Sequence, residues 1–244
     1  MTLQTSKARR IKALAFDMQG TIFNFYDPMM EALARVPAAA ADLAQWSTFA
    51  GVWSAAAYIA FADIAARRKA WMPAAAVYAD ELPRVLARFP GGASVSKADR
   101  ALLLAVWGNV RPWDDVLPGL TALRESFVLA TLTNASMRGT IDLVRRTGLP
   151  FDAILSAELA GALKPDPQVY RLGCKHLGCE PEEAMMVSAH KWDLRAAKQC
   201  GMQTALVLRP REYGPATTLD ASPDDLIDVI APDLPSLASL LAYS

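Results

Sequence analysis

The chain has little of what would mark a secreted, membrane-bound or nucleic-acid-binding protein. Its 244 residues hold only three cysteines, Cys174, Cys179 and Cys200. That odd set, without metal-type spacing, argues against a disulfide framework and fits a reducing compartment. An excess of one charge is also missing: 25 Lys and Arg stand against 25 Asp and Glu, so no net field recruits nucleic acid or an anionic membrane. The N-terminal TSKARRIKALAF turns apolar for only a few residues before Asp17, too short for a signal peptide. No run reads as approaching the ~20 apolar residues of a membrane span. There is no internal repeat and no biased segment beyond alanine enrichment, which is ordinary in helices. These absences predict a cytoplasmic protein that works on a small molecule, with neither nucleic acid nor membrane as partner.

What is present is a rhythm. Short, nearly continuous apolar runs recur as IKALAF (11–16), FVLATL (127–132), AILSA (153–157), AMMVSA (184–189), TALVLR (204–209) and LIDVIA (226–231). Strands buried on both faces look like this. Helical segments alternate with them: SMRGTIDLVRRTG with Gly148 as its stop, DPQVYRLGCKHLG and DLRAAKQCG. The alternation predicts an α/β fold with a doubly wound, Rossmann-like parallel sheet. Residues 27–112 break the pattern with helical spacing and no convincing strand. They are expected to form a helical cap inserted after the first strand, with 1–26 and 113–244 as the core and the Pro-rich RPWDDVLPGL as the re-entry loop.

The ends of parallel strands lie side by side, and that is where open α/β sheets keep their sites. FDMQGT, LTNAS, LKPDPQVY and VSAHKWD occupy four such ends. Together they gather Asp17, Thr133, Asn134, Lys164, Ser188, His190 and Asp193 around one crevice. An ionised carboxylate, Asp17, can attack an electrophilic centre and form an ester, splitting one difficult displacement into two steps. Lys164 offers a positive charge that holds neighbouring carboxylates ionised and can bind an anion. Thr133 can hold a carboxylate or phosphate oxygen, although Thr133 and Asn134 also suit a helix cap. Asp193 with Ser188 can position or deprotonate water.

In this ordered set the chain resembles the haloacid dehalogenase superfamily, whose pattern is a strand-end Asp with Gly-Thr, then Ser or Thr, then Lys, then a terminal acid. Phosphatases of that superfamily carry further acids where this chain has Gln19 and Ala189, so the resemblance implies a metal-independent member with no cofactor. The branch it resembles is that of the type II (S)-2-haloacid dehalogenases, on the strength of Thr133-Asn134, KPDPQVY with Lys164 and Tyr170, and Ser188 with Trp192-Asp193. Carried over, Asp17 is the nucleophile, Lys164 and Asp193 activate water, and a homodimer is implied.

Three positions depart from that branch. Gln19 stands for its usual Tyr, His190 for its usual Asn, and Ser54, in VWSAAAY, for its halide-binding Arg. The expected activity is hydrolytic displacement at C2 of a small carboxylate, with halide as the default leaving group. Neutral Gln19 and Ser54 would suit an amine leaving group instead, as in opening L-azetidine-2-carboxylate. A phosphatase and a non-catalytic binding member are the further alternatives. His190 could hold the substrate carboxylate, supply a proton or orient Asp17. Phe25 and Tyr26, just beyond the nucleophile, are the expected apolar wall, while Arg67 and Arg68 fit a solvated helix face.

Overall fold

The computed structural model describes residues 11–215, 222 and 224–242; the basic stretch through Arg10 lies outside them. Among the described residues seven strands run β1 (Ala13–Phe16), β2 (Phe23–Asn24), β3 (Arg111–Pro112), β4 (Val128–Thr131), β5 (Ala184–Ser188), β6 (Gln203–Val207) and β7 (Val229–Ala231). Five form one sheet in the order β4-β1-β5-β6-β7, and every pairing in it is parallel. All four residues of β1 are buried, because the strand lies between β4 and β5 with both faces covered. A continuous apolar run rather than an alternating one is the consequence. Chain order steps away from β1 in both directions, which opens a crevice at its carboxyl end.

The helices are α1 (Tyr26–Leu33), α2 (Pro37–Ala40), α3 (Phe49–Ala65), α4 (Ala74–Leu86), α5 (Lys97–Ala105), α6 (Val116–Arg124), α7 (Met137–Thr147), α8 (Pro167–Leu177), α9 (Lys191–Gln199) and α10 (Leu234–Ala242). Their ends follow the sequence. Ser136 caps α7 by accepting from the Gly139 N–H at 3.1 Å, and Asp166 caps α8 by accepting from Gln168 at 2.9 Å. Gly148 and Gly178 stop these helices at φ +66° and +63°, the left-handed conformation that costs glycine nothing. Helices α1 to α5 fall in the segment that breaks the alternation. That segment leaves and rejoins the sheet through the antiparallel pair β2–β3, a short strand at 111–112 that the helical spacing conceals.

Two expectations need correction. AILSA is not a sheet strand: only isolated bridges join Ala130 to Ala153 and Thr133 to Ser156. Backbone bonds hold the segment at Ala153 and Ala157, but between them the Thr131 hydroxyl donates to the Leu155 carbonyl and accepts from the Leu155 N–H, both at 2.9 Å, and interrupts the ladder. The run Leu43–Ala65, 23 residues, is long and apolar enough by length and composition to cross a membrane, against the expectation that no run approaches a span. Here its helical part, α3, packs on α4 and buries Trp53, Ala57, Phe61 and Ile64.

Helix α6 approaches α10 through Gly119. A Cβ there would overlap the Leu234 side chain and lie 2.9 Å from its carbonyl carbon and 3.0 Å from the Pro235 nitrogen. Gly119→Ala is therefore expected to destabilise the fold by about 1–3 kcal/mol, read as a lower urea midpoint at unchanged slope.

Candidate active site

Asp17 is the first residue past β1, and its N–H still bonds the Val187 carbonyl at 3.0 Å, so the sheet holds it in place. The chain then turns sharply through Gly20 at φ +80°. This brings Thr21 back, where its hydroxyl donates to Asp17 Oδ2 at 2.9 Å and accepts from the Ala189 N–H at 2.8 Å. The Gly-Thr of the motif thus ties the nucleophile to the end of β5.

Lys164 reaches the same point from the loop before α8. The Asn134 side-chain amide clamps the lysine backbone from both sides, accepting from its N–H at 2.7 Å and donating to its carbonyl at 3.2 Å. The ammonium, on a side chain 1% exposed, lies between Asp17 Oδ1 at 2.9 Å and Asp193 Oδ2 at 2.7 Å. Tyr170 completes the line by donating to Asp193 Oδ1 at 2.6 Å. Asp193 sits in the first turn of α9, where the helix N-terminus favours negative charge.

Electrostatics follow from this crowding. Burial alone would raise the Asp17 pKa, but the Lys164 ammonium and His190 outweigh it and hold the carboxyl well below the usual range. Burial works to deprotonate Lys164, yet Asp17 and Asp193 push its pKa above the ordinary lysine value. Tyr170 is driven well above its usual value, by burial first and by Asp193 next, so it remains a donor. Asp17 is therefore an ionised carboxylate at neutral pH, fixed by donors on both oxygens.

A narrow cavity opens over Asp17 and is lined also by Gln19, Tyr58, Phe61, Thr133, Asn134, Lys164, His190 and Trp192. Gln19 Oε1 accepts from the Tyr78 hydroxyl at 3.3 Å. Thr133 Oγ1 accepts from the Ala135 N–H at 3.1 Å, a local turn contact. Ser188, Tyr170 and Asp193 are buried behind the lining, and the Ser188 hydroxyl accepts from the His190 N–H at 3.1 Å.

Phe25 and Tyr26 do not line the cavity. Phe25 packs on Trp107 and Tyr213, with ring centroids 5.4 and 5.8 Å away, and the Tyr26 ring covers Gly214. The apolar wall is supplied by Tyr58, Phe61 and Trp192 instead. Ser54 lies one turn before Tyr58 on α3, also outside the lining, with its buried hydroxyl unpartnered. Arg67 is not among the lining residues; its exposed side chain pairs with Asp166 at 3.2 Å.

Three residues of the site, Thr21, Phe61 and Glu212, are not singled out by the sequence, while Tyr58 stands there only as one of eight aromatics, with Phe23, Phe25, Tyr26, Trp53, Trp107, Trp113 and Trp192, that could include the apolar wall. Thr21 was legible in the Gly-Thr itself, four residues after Asp17. Glu212, in the turn after β6, accepts or shares a proton with His190 Nε2 at 2.7 Å and carries no local signal. Among the described residues no group of three or more His, Cys, Asp or Glu side chains is arranged to hold a metal ion. Gln19 and Ala189 add no carboxylate beside Asp17, so the donor set does not fit a divalent cation.

A parallel α/β sheet with a helical insertion and a buried Asp–Lys–Asp line at its strand ends is the architecture of a hydrolase of the haloacid dehalogenase type. Residues 11–201 match the family model of the haloacid dehalogenase-like hydrolases, and the chain belongs to that family. Haloacetate dehalogenase H-2 of Moraxella sp. (strain B) is 33% identical over 126 residues, 50% of this chain and 55% of that protein. The chain spans about half the length of the curated relatives it matches. Crystal structures align much further. One L-2-haloacid dehalogenase matches at a TM-score of 0.80 and 32% identity, over 95% of this chain and 99% of its own. A defluorinating L-2-haloacid dehalogenase matches at 0.82 and 29%, over 96% of each chain. These relatives place the chain with the (S)-2-haloacid dehalogenase branch.

Proposed function

We propose that the protein is a metal-independent hydrolase that displaces a halide from C2 of a small (S)-2-substituted carboxylate through an ester on Asp17. The observation that carries this reading is the ionised Asp17 lining a small, aromatic-walled cavity beside an amide, Gln19, where a phosphatase would need a second acid. Asp17 attacks C2 and the carbon–halogen bond breaks, the halide taking the bonding pair. Water then adds to the Asp17 carboxyl carbon, the 2-hydroxycarboxylate leaves, one proton is released and the carboxylate is restored. Lys164 neutralises charge on Asp17 and Asp193 in both steps, and Asp193, buried behind the lining and held by Tyr170, acts on the attacking water only through the Lys164 ammonium that joins it to Asp17. Thr133 is the candidate hold for the substrate carboxylate.

A second reading draws on one observation: among the described residues no guanidinium lines the cavity. With an amine as leaving group, the same attack on C2 would open the ring of L-azetidine-2-carboxylate. The test is an assay in EDTA on (S)-2-chloropropionate and on L-azetidine-2-carboxylate, with a generic phosphomonoester plus Mg²⁺ as third arm. Halide release is the expected result. Ring opening alone would replace the leaving group, and Mg²⁺-dependent phosphate release alone would overturn the displacement reading.

A further inference from the structure

Hydrolysis of an ester on Asp17 puts negative charge on one carboxyl oxygen, and the displacement scheme names no group to receive it. The two oxygens have different neighbours. Oδ1 meets the Lys164 ammonium at 2.9 Å. Oδ2 accepts from the Thr21 hydroxyl at 2.9 Å. His190 Nδ1 also stands 3.3 Å from Oδ2, without hydrogen-bond geometry and with no other partner. Thr21 is wholly buried and absent from the cavity lining, so the bond that ties Oδ2 survives substrate binding. That assigns Oδ1 to the attack on C2 and Oδ2 to the carbonyl of the ester.

The His190 ring is fixed beside Oδ2 from several directions. The residue is 7% exposed, the Trp192 ring flanks it at 22° with centroids 5.9 Å apart, and its backbone N–H donates to Ser188 at 3.1 Å. Its Nε2 is 2.7 Å from Glu212 Oε1, with the Tyr58 hydroxyl 3.4 Å away. Glu212 is almost fully buried, and the room for it comes from Gly20. A Cβ at position 20 would overlap Glu212 Oε1, lie 2.7 Å from its Cδ and press to 3.2 Å on His190 Cε1. The glycine of the nucleophile turn therefore admits a carboxylate as well as making the turn.

The titratable groups facing the ring are Asp17 after β1, Glu212 after β6, and the Tyr58 phenol of α3, with the Tyr213 phenol against Glu212 and Lys164 on the far side of Asp17. Both phenols are pushed up by burial and neighbouring negative charge, so they stay neutral. With a carboxylate oxygen facing each ring nitrogen, a lone pair on either would meet negative charge, and an N–H on both is the matching form. Burial favours the neutral imidazole, but Glu212 and then Asp17 outweigh it and push the His190 pKa up to about 10.

We propose that the His190 Nδ1–H and the Thr21 hydroxyl are the donor pair for the oxyanion that forms at Asp17 Oδ2 during ester hydrolysis, and that Glu212 is the positioning residue that holds the ring there. The inference rests on the displacement reading and deepens its second step. In that step a water oxygen bonds to the Asp17 carboxyl carbon and the carbonyl electron pair moves onto Oδ2. The pair then returns, the bond from that carbon to Oδ1 breaks, and Oδ1 leaves as the hydroxyl oxygen of the 2-hydroxycarboxylate. One water proton ends on that hydroxyl and the other is released, while His190 keeps its own. As the carbon becomes tetrahedral Oδ2 leaves the carboxylate plane, and a contact of 3.3 Å, poorly aligned with the resting carboxylate, has room to shorten. Esterification also removes the negative charge that faces Nδ1–H at rest. The charge of the ring is then uncompensated on that side until the oxyanion forms, so it stabilises the transition state more than the ester. His190 stands on the nucleophile's side of C2, and in-line expulsion of the halide gains nothing from it.

Because the first step releases halide and the second does not, the two are separable. Wild type and Glu212→Gln are mixed with excess (S)-2-chloropropionate at pH 8 and quenched at intervals, and halide release and intact protein mass are read together. The variant is expected to release its first equivalent of halide per site within about threefold of the wild-type rate, and then to turn over at least about tenfold more slowly. Its protein should accumulate as the Asp17 adduct. A merely structural role would not confine the loss to the second step. The chain has only two histidines, His176 and His190, so proton–nitrogen NMR of histidine-labelled wild type, which needs no variant, should show His190 doubly protonated at pH 8. A neutral His190 there would overturn the proposal. So would a Glu212→Gln protein with unchanged turnover, or one whose first halide is slowed as much as its turnover with no adduct accumulating. Wild type that releases no halide and forms no adduct would instead overturn the displacement reading, and the oxyanion role with it, so the two failures are told apart.

Discussion

Asp17→Asn is expected to lower kcat by about 10⁴-fold or more while leaving the fold in place. The asparagine amide has the shape of the carboxylate and still accepts from Thr21, whose hydroxyl otherwise donates to Oδ2 at 2.9 Å. Lys164 keeps Asp193 as a partner at 2.7 Å. What is lost is the nucleophile, because an amide oxygen has no full charge with which to displace a group from carbon. A single turnover in oxygen-18 water checks the route: wild type should place the label in the Asp17 carboxylate, because water attacks the carboxyl carbon. Label appearing first in the product would mean that water attacks C2 directly, and that Asp17 acts otherwise.

The same carboxylate sets an expectation in acid. Its folded pKa is depressed below the unfolded value, so the stability it contributes is present above the unfolded value, near 3.8, and is lost as pH falls toward the folded one. The reactive form is the ionised one. Protonation of Asp17 should therefore not limit kcat at any pH above about 4, and an acid limb at higher pH would have to belong to another group.

How much of this was legible in the sequence depends on the range over which each choice is made. The burial of β1 on both faces writes itself as a continuous apolar run, so the acid that ends it stands out, and Lys164, Thr133 and Asp193 follow at later strand ends. AILSA carries the same local signature, yet its pairing was decided by a hydroxyl on another segment, Thr131, which periodicity does not encode. Asn134 suited either a helix cap or a ligand contact. Its amide is spent on the backbone of Lys164, thirty residues away. The cavity wall was hidden because α3 is apolar nearly all round, so no stripe announced that Tyr58 and Phe61 face Asp17. Glu212 lies 22 residues from His190 and depends on a glycine near the other end of the chain.

Lys164→Met is expected to abolish activity and to destabilise the protein by about 3–5 kcal/mol at neutral pH, the usual result of breaking a buried ion pair from one side. The ammonium is almost wholly buried and donates to both Asp17 and Asp193. Methionine fills the space but leaves two buried carboxylates facing each other with no cation between them. Lys164 has its pKa raised in the fold, so its contribution is complete below its unfolded value, near 10.5, and is lost only as pH rises through the folded one. At pH 7 the whole of it is at stake. In the variant, burial acts on Asp17 with its largest opposing charge removed and only His190 left to oppose it, so its pKa should rise from its depressed value. Protonation then relieves the repulsion at a higher pH than in wild type, so the stability gap to wild type should narrow as pH falls into the acid range, as measured by urea unfolding. Adding Asp193→Asn to Lys164→Met should recover part of the lost stability and none of the activity. If the double variant were no more stable than the single one, the two carboxylates would not be in electrostatic contact through the lysine site, and the ion-pair account of Lys164 would fall.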